Sequence, residues 1–241
     1  MTPRLEVLGR PFRAILGALA AALLLAAAWQ WLTWPDVAAL GTEPPQSTAF
    51  IRAWEAGQRK AGREVRAEHR WVPYREISDR LKRAVLVAED IDFFSHHGFA
   101  VDEMKTALRD TVREGKPLRG ASTLSQQLVK NLWLSPSRNP WRKAKEALLT
   151  RQLERELPKR RILELYLNVV EFGPGIYGAE AGARRYFGKP ASRLTRRQAA
   201  ALAAGLPKRT WHPGSDSRVY RARVERILRR MDKARWLSKE L

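Results

Sequence analysis

The sequence predicts a mainly α-helical fold behind one apolar N-terminal segment, and three observations predict it. Residues 14–32 read AILGALAAALLLAAAWQWL, with Gln30 as the only strongly polar interruption. From Ser78 onward, apolar residues recur at helical spacing between capping residues, glycines and prolines. Before that, the stretch from Glu64 to Tyr74, which contains Pro73, lacks helical periodicity and reads as extended.

About 20 apolar residues rising 1.5 Å each cross a hydrocarbon core of roughly 30 Å, and the first segment meets that length. Arg4, Arg10 and Arg13 precede it and predict a cytoplasmic N-terminus. Trp29, Trp31 and Trp34 sit where an interfacial aromatic belt belongs. The competing reading is a cleaved signal peptide, because Ala26-Ala27-Ala28 offers an A-x-A site. The run outlasts a usual signal core and carries the tryptophans, which favours a retained anchor. The chain then divides into a cytoplasmic tail (1–13), a transmembrane helix (14–34), a linker and membrane-proximal segment (35–70) and a folded domain (71–241).

Pro35 and Gly41-Thr42-Glu43-Pro44-Pro45 break the chain after the anchor. Ser47 or Thr48 caps a short helix through about Lys60. Leu81, Ala84, Val85 and Ala88 fall at i, i+3, i+4 and i+7, an apolar stripe ending at Glu89. Residues 102–114 read as a helix stopped by Gly115 and Pro117. Ser122 or Thr123 caps the next, which runs through Leu132. Asn139 followed by Pro140 opens a helix that stops at Pro158. Further helices are predicted over 161–168, 176–186, 195–205 and 216–236. In the last, Tyr220, Val224, Ile227, Leu228 and Met231 form one apolar face.

Among 241 residues, 45 Lys+Arg stand against 25 Asp+Glu, a net charge of +20. Such a chain needs an anionic partner: nucleic acid, phospholipid headgroups or a phosphorylated substrate. Cysteine is absent, which excludes disulfides and thiolate metal sites. No P-loop and no G-x-G-x-x-G fingerprint occurs, so a nucleotide donor is not indicated.

Three clusters carry candidate chemistry. Glu89 ends an apolar helix, where the macrodipole disfavours a carboxylate, so its placement wants a reason. A general base in a cleft is one, and a solvated helix end is the plain alternative. Asp90 and Asp92 read as turn stabilisers. His96 and His97 are adjacent with no H-x-x-x-H spacing, and read as structural. In the second cluster, Ser122, Thr123, Gln126 and Gln127 lie within two helical turns, and Lys130 shares a face with both glutamines. If Ser122 caps that helix, its first amides form an anion or sugar site. In the third, Arg142 and Glu146 are one turn apart and pair, with Lys143 beside them and Arg138 one turn earlier. Arginine forks suit phosphate oxygens, although a basic helix face is ordinarily just solvated.

Together these blocks resemble the peptidoglycan glycosyltransferase family, the lysozyme-like domain that polymerises lipid II. The resemblance covers roughly residues 72–213. The family's E-D-x-x-F-x-x-H-x-G is met by Glu89, Asp90, Phe93, His96 and Gly98. Its G-[GA]-S-T-[IL]-[TS]-Q-Q-[LV]-x-K-N is met from Gly120 to Asn131, and R-K-x-K-E from Arg142 to Glu146. A fourth block is similar from Ile162 to Asn168, at Phe172, Gly173 and Gly175, and from Tyr186 to Lys189. The Ala-rich run to Leu206 and Pro207 is the fifth, with Gln198 where the family often has Glu. No Ser-x-x-Lys motif for a transpeptidase is present, so the resemblance is to the monofunctional biosynthetic form.

The resemblance implies a lysozyme-like glycosyltransferase domain and roles for its residues. Glu89 matches the base that takes the proton of the acceptor's 4-hydroxyl, and Glu146 the second acid, on the donor side. Lys130 and Arg138 match cations for the donor diphosphate, with Arg142 and Lys143 beside them. Ser122, Thr123, Gln126, Gln127 and Asn131 line the cleft. The implied partners are lipid II, the growing lipid-linked glycan, membrane lipids and cell-wall synthesis or division proteins, with no nucleic acid. No cofactor is required, and there is room for a divalent cation such as magnesium. A lysozyme-like lytic enzyme is the alternative, as is a tethered basic binding protein that would not depend on Glu89.

Overall fold

A computed structural model describes residues 6–100, 122–134, 140–206 and 210–241. The helix expected over 102–114 lies outside them, as do Arg4, Gly120, Ala121, Arg138, Asn139 and Pro207. The chain separates into two compact units, residues 1–36 and 37–241.

The first unit is one helix, α1 (Glu6–Leu32). Its stretch Ala14–Leu32 has a mean hydropathy of 1.9 and no buried residue, and is long and apolar enough to cross a membrane. The Thr33 hydroxyl donates to the Trp29 carbonyl at 2.7 Å, and Pro35 follows two residues later.

The second unit is built of helices: α2 (Ala49–Lys60), α3 (Asp79–Glu89), α4 (Leu124–Trp133), α5 (Pro140–Glu156), α6 (Lys159–Val169), α7 (Ala179–Phe187), α8 (Arg196–Gly205) and α9 (Arg218–Lys233). Hydroxyl caps open most of them. Thr48 accepts from the Ile51 amide, Ser78 from Leu81 and Ser217 from Tyr220. Thr123 and Thr195 form capping boxes with Gln126 and Gln198. Gln198 thus does the N3 work that a glutamate does in a capping box.

Two helix groups form the core. α3, α8 and α9 pack on one another, and α4 packs on α2, α5 and α6. α3 is buried beyond its predicted stripe, with Leu81, Ala84, Val85, Leu86 and Val87 all at 1% exposure or less. In α9, Tyr220, Val224, Ile227 and Met231 are buried as expected, and Leu228 is half-buried. α9 stops at Lys233, and the chain continues as a 3-10 turn, Arg235–Lys239.

The helix expected over 176–186 begins only at Ala179. Ile176–Tyr177 is instead the strand β3, which pairs antiparallel with β2 (Glu171–Gly173) and parallel with β1 (Glu68–His69). Two glycines enforce this. Gly175 takes a φ of +75° in the β2–β3 turn, with the Trp54 ring so close that a Cβ would lie 2.3 Å from it. Gly178 takes a φ of +87°, and its Cβ would lie 2.6 Å from the Asn168 carbonyl oxygen.

Residues 35–70, read from sequence as a linker and membrane-proximal segment, carry structure of their own. Val37, Leu40 and Ile51 are buried. Arg161 donates to the carbonyls of Leu40 at 2.7 Å and Glu43 at 2.9 Å. Asn168 holds the next stretch: its Oδ1 accepts from the Val72 amide and its Nδ2 donates to the Val72 carbonyl, each at 2.9 Å.

Candidate active site

α3 delivers Glu89 to the junction of the two helix groups. The last turn of a helix leaves carbonyls without partners, and a carboxylate there meets the negative end of the dipole. Two arginines of α9 answer both problems. Arg230 donates to the Val87 carbonyl at 3.0 Å, and Arg223 to that of Ala88 at 3.4 Å. Arg223 also donates to Glu89 Oε1 at 2.7 Å. On the other side, Gln127 Nε2 donates to Glu89 Oε2 at 3.3 Å, and the Tyr166 hydroxyl donates to Gln127 Oε1 at 3.0 Å. Burial is the largest influence on Glu89 and pushes its carboxyl above the usual range. Arg223, Gln127 and Lys130 pull the other way without cancelling it.

Asp90 is a structural neighbour. Its Oδ2 accepts from the Leu124 amide at 2.8 Å, and His96 Nε2 lies 3.0 Å from Oδ1. The Gly98 amide donates to His96 Nδ1 at 3.1 Å, which assigns the ring proton to Nε2. The Thr123 hydroxyl closes the loop by donating to the Gly98 carbonyl at 2.7 Å. The motif's Asp, His and Gly thus lock the turn after α3 onto the start of α4.

This arrangement corrects one expectation. Of the two caps the sequence offered, Thr123 is the one that holds α4, and the Leu124 and Gln126 amides are engaged by Asp90 and by the capping box. They do not form an open anion site. Gln126 is buried in that box, its Oε1 accepting from the Thr123 amide at 3.0 Å. Ser122 is exposed and lends its carbonyl to Gln127 Nε2 at 3.4 Å. Asn131 is buried in the last turn of α4.

Glu146 lies on α5, 3% exposed. Arg142 donates to its Oε2 at 3.2 Å, and Lys143 bonds its Oε1. Lys130 responds to both glutamates. Burial lowers its ammonium most, Glu146 opposes that, Arg142 and Lys143 reinforce it, and Glu89 opposes it again. The Phe50 ring of α2 lies 6.0 Å from its Nζ.

The structure therefore brings together Glu89, Gln127, Lys130, Arg142, Lys143 and Glu146, and leaves Thr123 and Gln126 in capping. The sequence reading missed Arg223, Arg230 and Phe50 as neighbours of the site. A signal for the first two existed, because both fall in register with the apolar face of α9, where a solvated arginine does not belong. Two cavities of about 480 and 500 Å³ lie elsewhere and include neither glutamate. Among the described residues no His, Cys, Asp and Glu cluster could hold a metal ion.

Comparison with known proteins fits this geometry. The model of the family described as Transglycosylase matches residues 57–232. The biosynthetic peptidoglycan transglycosylase of Azoarcus sp. strain BH72 is 49% identical over 219 residues, 91% of this chain and 93% of that protein. Its namesake from Thiobacillus denitrificans is 47% identical over 188 residues, covering 78% and 81% of the two chains. That of Chromobacterium violaceum is 43% identical over 219 residues, covering 90% and 93%. With Glu89 and Glu146 held in one neighbourhood and the family model spanning both, the chain belongs to the Transglycosylase family.

Proposed function

We propose that this protein polymerises lipid II into the β-1,4-linked glycan strands of peptidoglycan. The donor is a glycan chain on a polyprenyl diphosphate, and the acceptor is the 4-hydroxyl of another lipid-linked unit. The acceptor oxygen attacks the donor's anomeric carbon while Glu89 takes its proton. The bond from that carbon to the diphosphate oxygen breaks, the lipid diphosphate departs, and the configuration inverts. Lys130, Arg142 and Lys143, with Arg138, stabilise the negative charge that develops on the leaving group. Glu146 assists on the donor side and holds Arg142 and Lys143 in place. Ser122, Gln127 and Asn131 border the substrate, and Thr123 and Gln126 support them.

One observation carries this reading. The Glu89 carboxylate, half-buried and held between Arg223 and Gln127 with its pKa pushed up, feels the charge of Lys130, which in turn feels Glu146, Arg142 and Lys143. A lytic enzyme would not need cations there. The Glu89→Gln protein, folded, should polymerise lipid II about 10²–10⁴-fold more slowly. Polymerisation near the wild-type rate removes Glu89 from the mechanism, and release of fragments from intact sacculi supports the lytic reading instead.

The apolar stretch of α1 is proposed as a single-pass anchor in the cytoplasmic membrane, N-terminus inside, with the catalytic unit on the far side where lipid II is consumed. Anionic headgroups then meet part of the +20 charge. Nucleic acid has no part in this reading, and cell-wall synthesis or division proteins are the partners it favours.

A further inference from the structure

We infer that Tyr166 is a positioning residue for Glu89 and acts through Gln127, its hydroxyl anchoring the amide whose Nε2 meets the carboxylate. This rests on the reading of Glu89 as the base. Tyr166 lies on α6 and is fully buried, with its hydroxyl 3.0 Å from Gln127 Oε1. Gln127 Nε2 is 3.3 Å from Glu89 Oε2.

The polarity of this chain has only one solution. An ionised carboxylate accepts and cannot donate, so Gln127 must turn its amino group to Glu89. Its carbonyl then faces Tyr166, whose hydroxyl must donate. A reversed amide would set a carbonyl oxygen against the carboxylate, two acceptors in contact. The Ser122 carbonyl, which also accepts from Nε2 at 3.4 Å, favours the same orientation, and Tyr166 anchors the carbonyl end so that the amide is held against the carboxylate. Its own proton stays in place, because burial and the charges of Glu89 and Asp90 push its ionisation well above the usual range. With phenylalanine at 166, the amide loses its anchor, and the Glu89 anion loses part of a donor.

The other charged groups around Glu89 do not change in such a variant. Arg223 of α9 is 2.7 Å away, and Lys130 of α4 adds positive field. Asp90 is engaged with Leu124 and His96. α8 carries only Arg196 and Arg197, paired with Asp232 and Glu225 of α9. The 3-10 turn against α3 brings Arg235 and Lys239.

The test is the pH dependence of kcat/KM for lipid II polymerisation by the full-length protein. Losing a donor to the carboxylate raises its pKa, so the acid limb should move to higher pH. The expected shift in Tyr166→Phe is about half a unit to one unit, the size of one hydrogen bond. Gln127→Leu should shift the limb as well, and the double variant should shift it no further than Gln127→Leu alone. A residue that merely fills the core would lower the melting temperature and leave the limb in place. An unmoved limb in folded Tyr166→Phe overturns the inference. Should that variant not fold, an unmoved limb in Gln127→Leu overturns it equally. If Glu89→Gln is inactive while the limbs stay put, only the Tyr166 inference falls. If Glu89→Gln polymerises normally, the reading of Glu89 falls first.

Discussion

Glu89 and Lys130 both carry charges that their surroundings disfavour. Burial is the leading influence on each, raising the carboxyl and lowering the ammonium, so the folded state disfavours both charges. For an acid with a raised native pKa, its stability contribution is full below the unfolded-state value. It is lost as pH rises through the native one. Glu89→Gln carries no such loss. Its melting temperature should therefore gain on the wild type as pH rises from below the usual carboxylate range to neutrality. Thermal scans at the two ends check this, and a wild type that gains instead contradicts the burial argument. Lys130→Met should likewise melt no lower than the wild type while turnover falls about 10²-fold, the cost of removing one stabiliser of developing charge. The two glutamates and Lys130 were legible because each sits in a dense polar block beside apolar helix. Arg223 was not singled out, because its register with the apolar face of α9 marks it as facing inward but not that it meets a helix end 134 residues away.

At the scale of elements, helices were legible where caps and periodicity agreed, as in α3. The failure at 176–186 came from backbone rather than side chains. Ile176 and Tyr177 have the apolar character of a helix face, but Gly175 and Gly178 on either side adopt positive φ and end the helix before it begins. Asn168 looks from sequence like the close of a helix, yet it serves as the clamp for Val72. Asn168→Ala would strand both backbone groups of Val72 in a buried place. It should cost about 2–4 kcal/mol, measurable by denaturant unfolding. A cost under about 1 kcal/mol would mean that water satisfies those groups. Gly178→Ala should destabilise as well, since the methyl would meet the Asn168 carbonyl and the φ would be strained.

For the whole molecule, the proposed anchor and the unit that carries Glu89 and Glu146 separate at a definite place in the chain. Contacts bind residues from Val37 onward into the catalytic unit, through the buried Val37 and Leu40 and the Arg161 bonds to Leu40 and Glu43. A truncation that removes these residues should therefore cost stability, whereas one beginning at Asp36 keeps the unit whole. The Asp36 form should melt with the full-length protein and polymerise lipid II in detergent at a similar rate. In vesicles it should be slower, because tethering no longer concentrates enzyme and substrate on one surface. A form beginning at Glu64 lacks α2 and with it Phe50, the aromatic neighbour of Lys130, so it should lose activity in detergent too. Equal rates for the Asp36 form and the full-length protein in vesicles would deny the helix an anchoring role. An N-terminus at Trp29 in protein taken from membranes would make the segment a cleaved signal peptide.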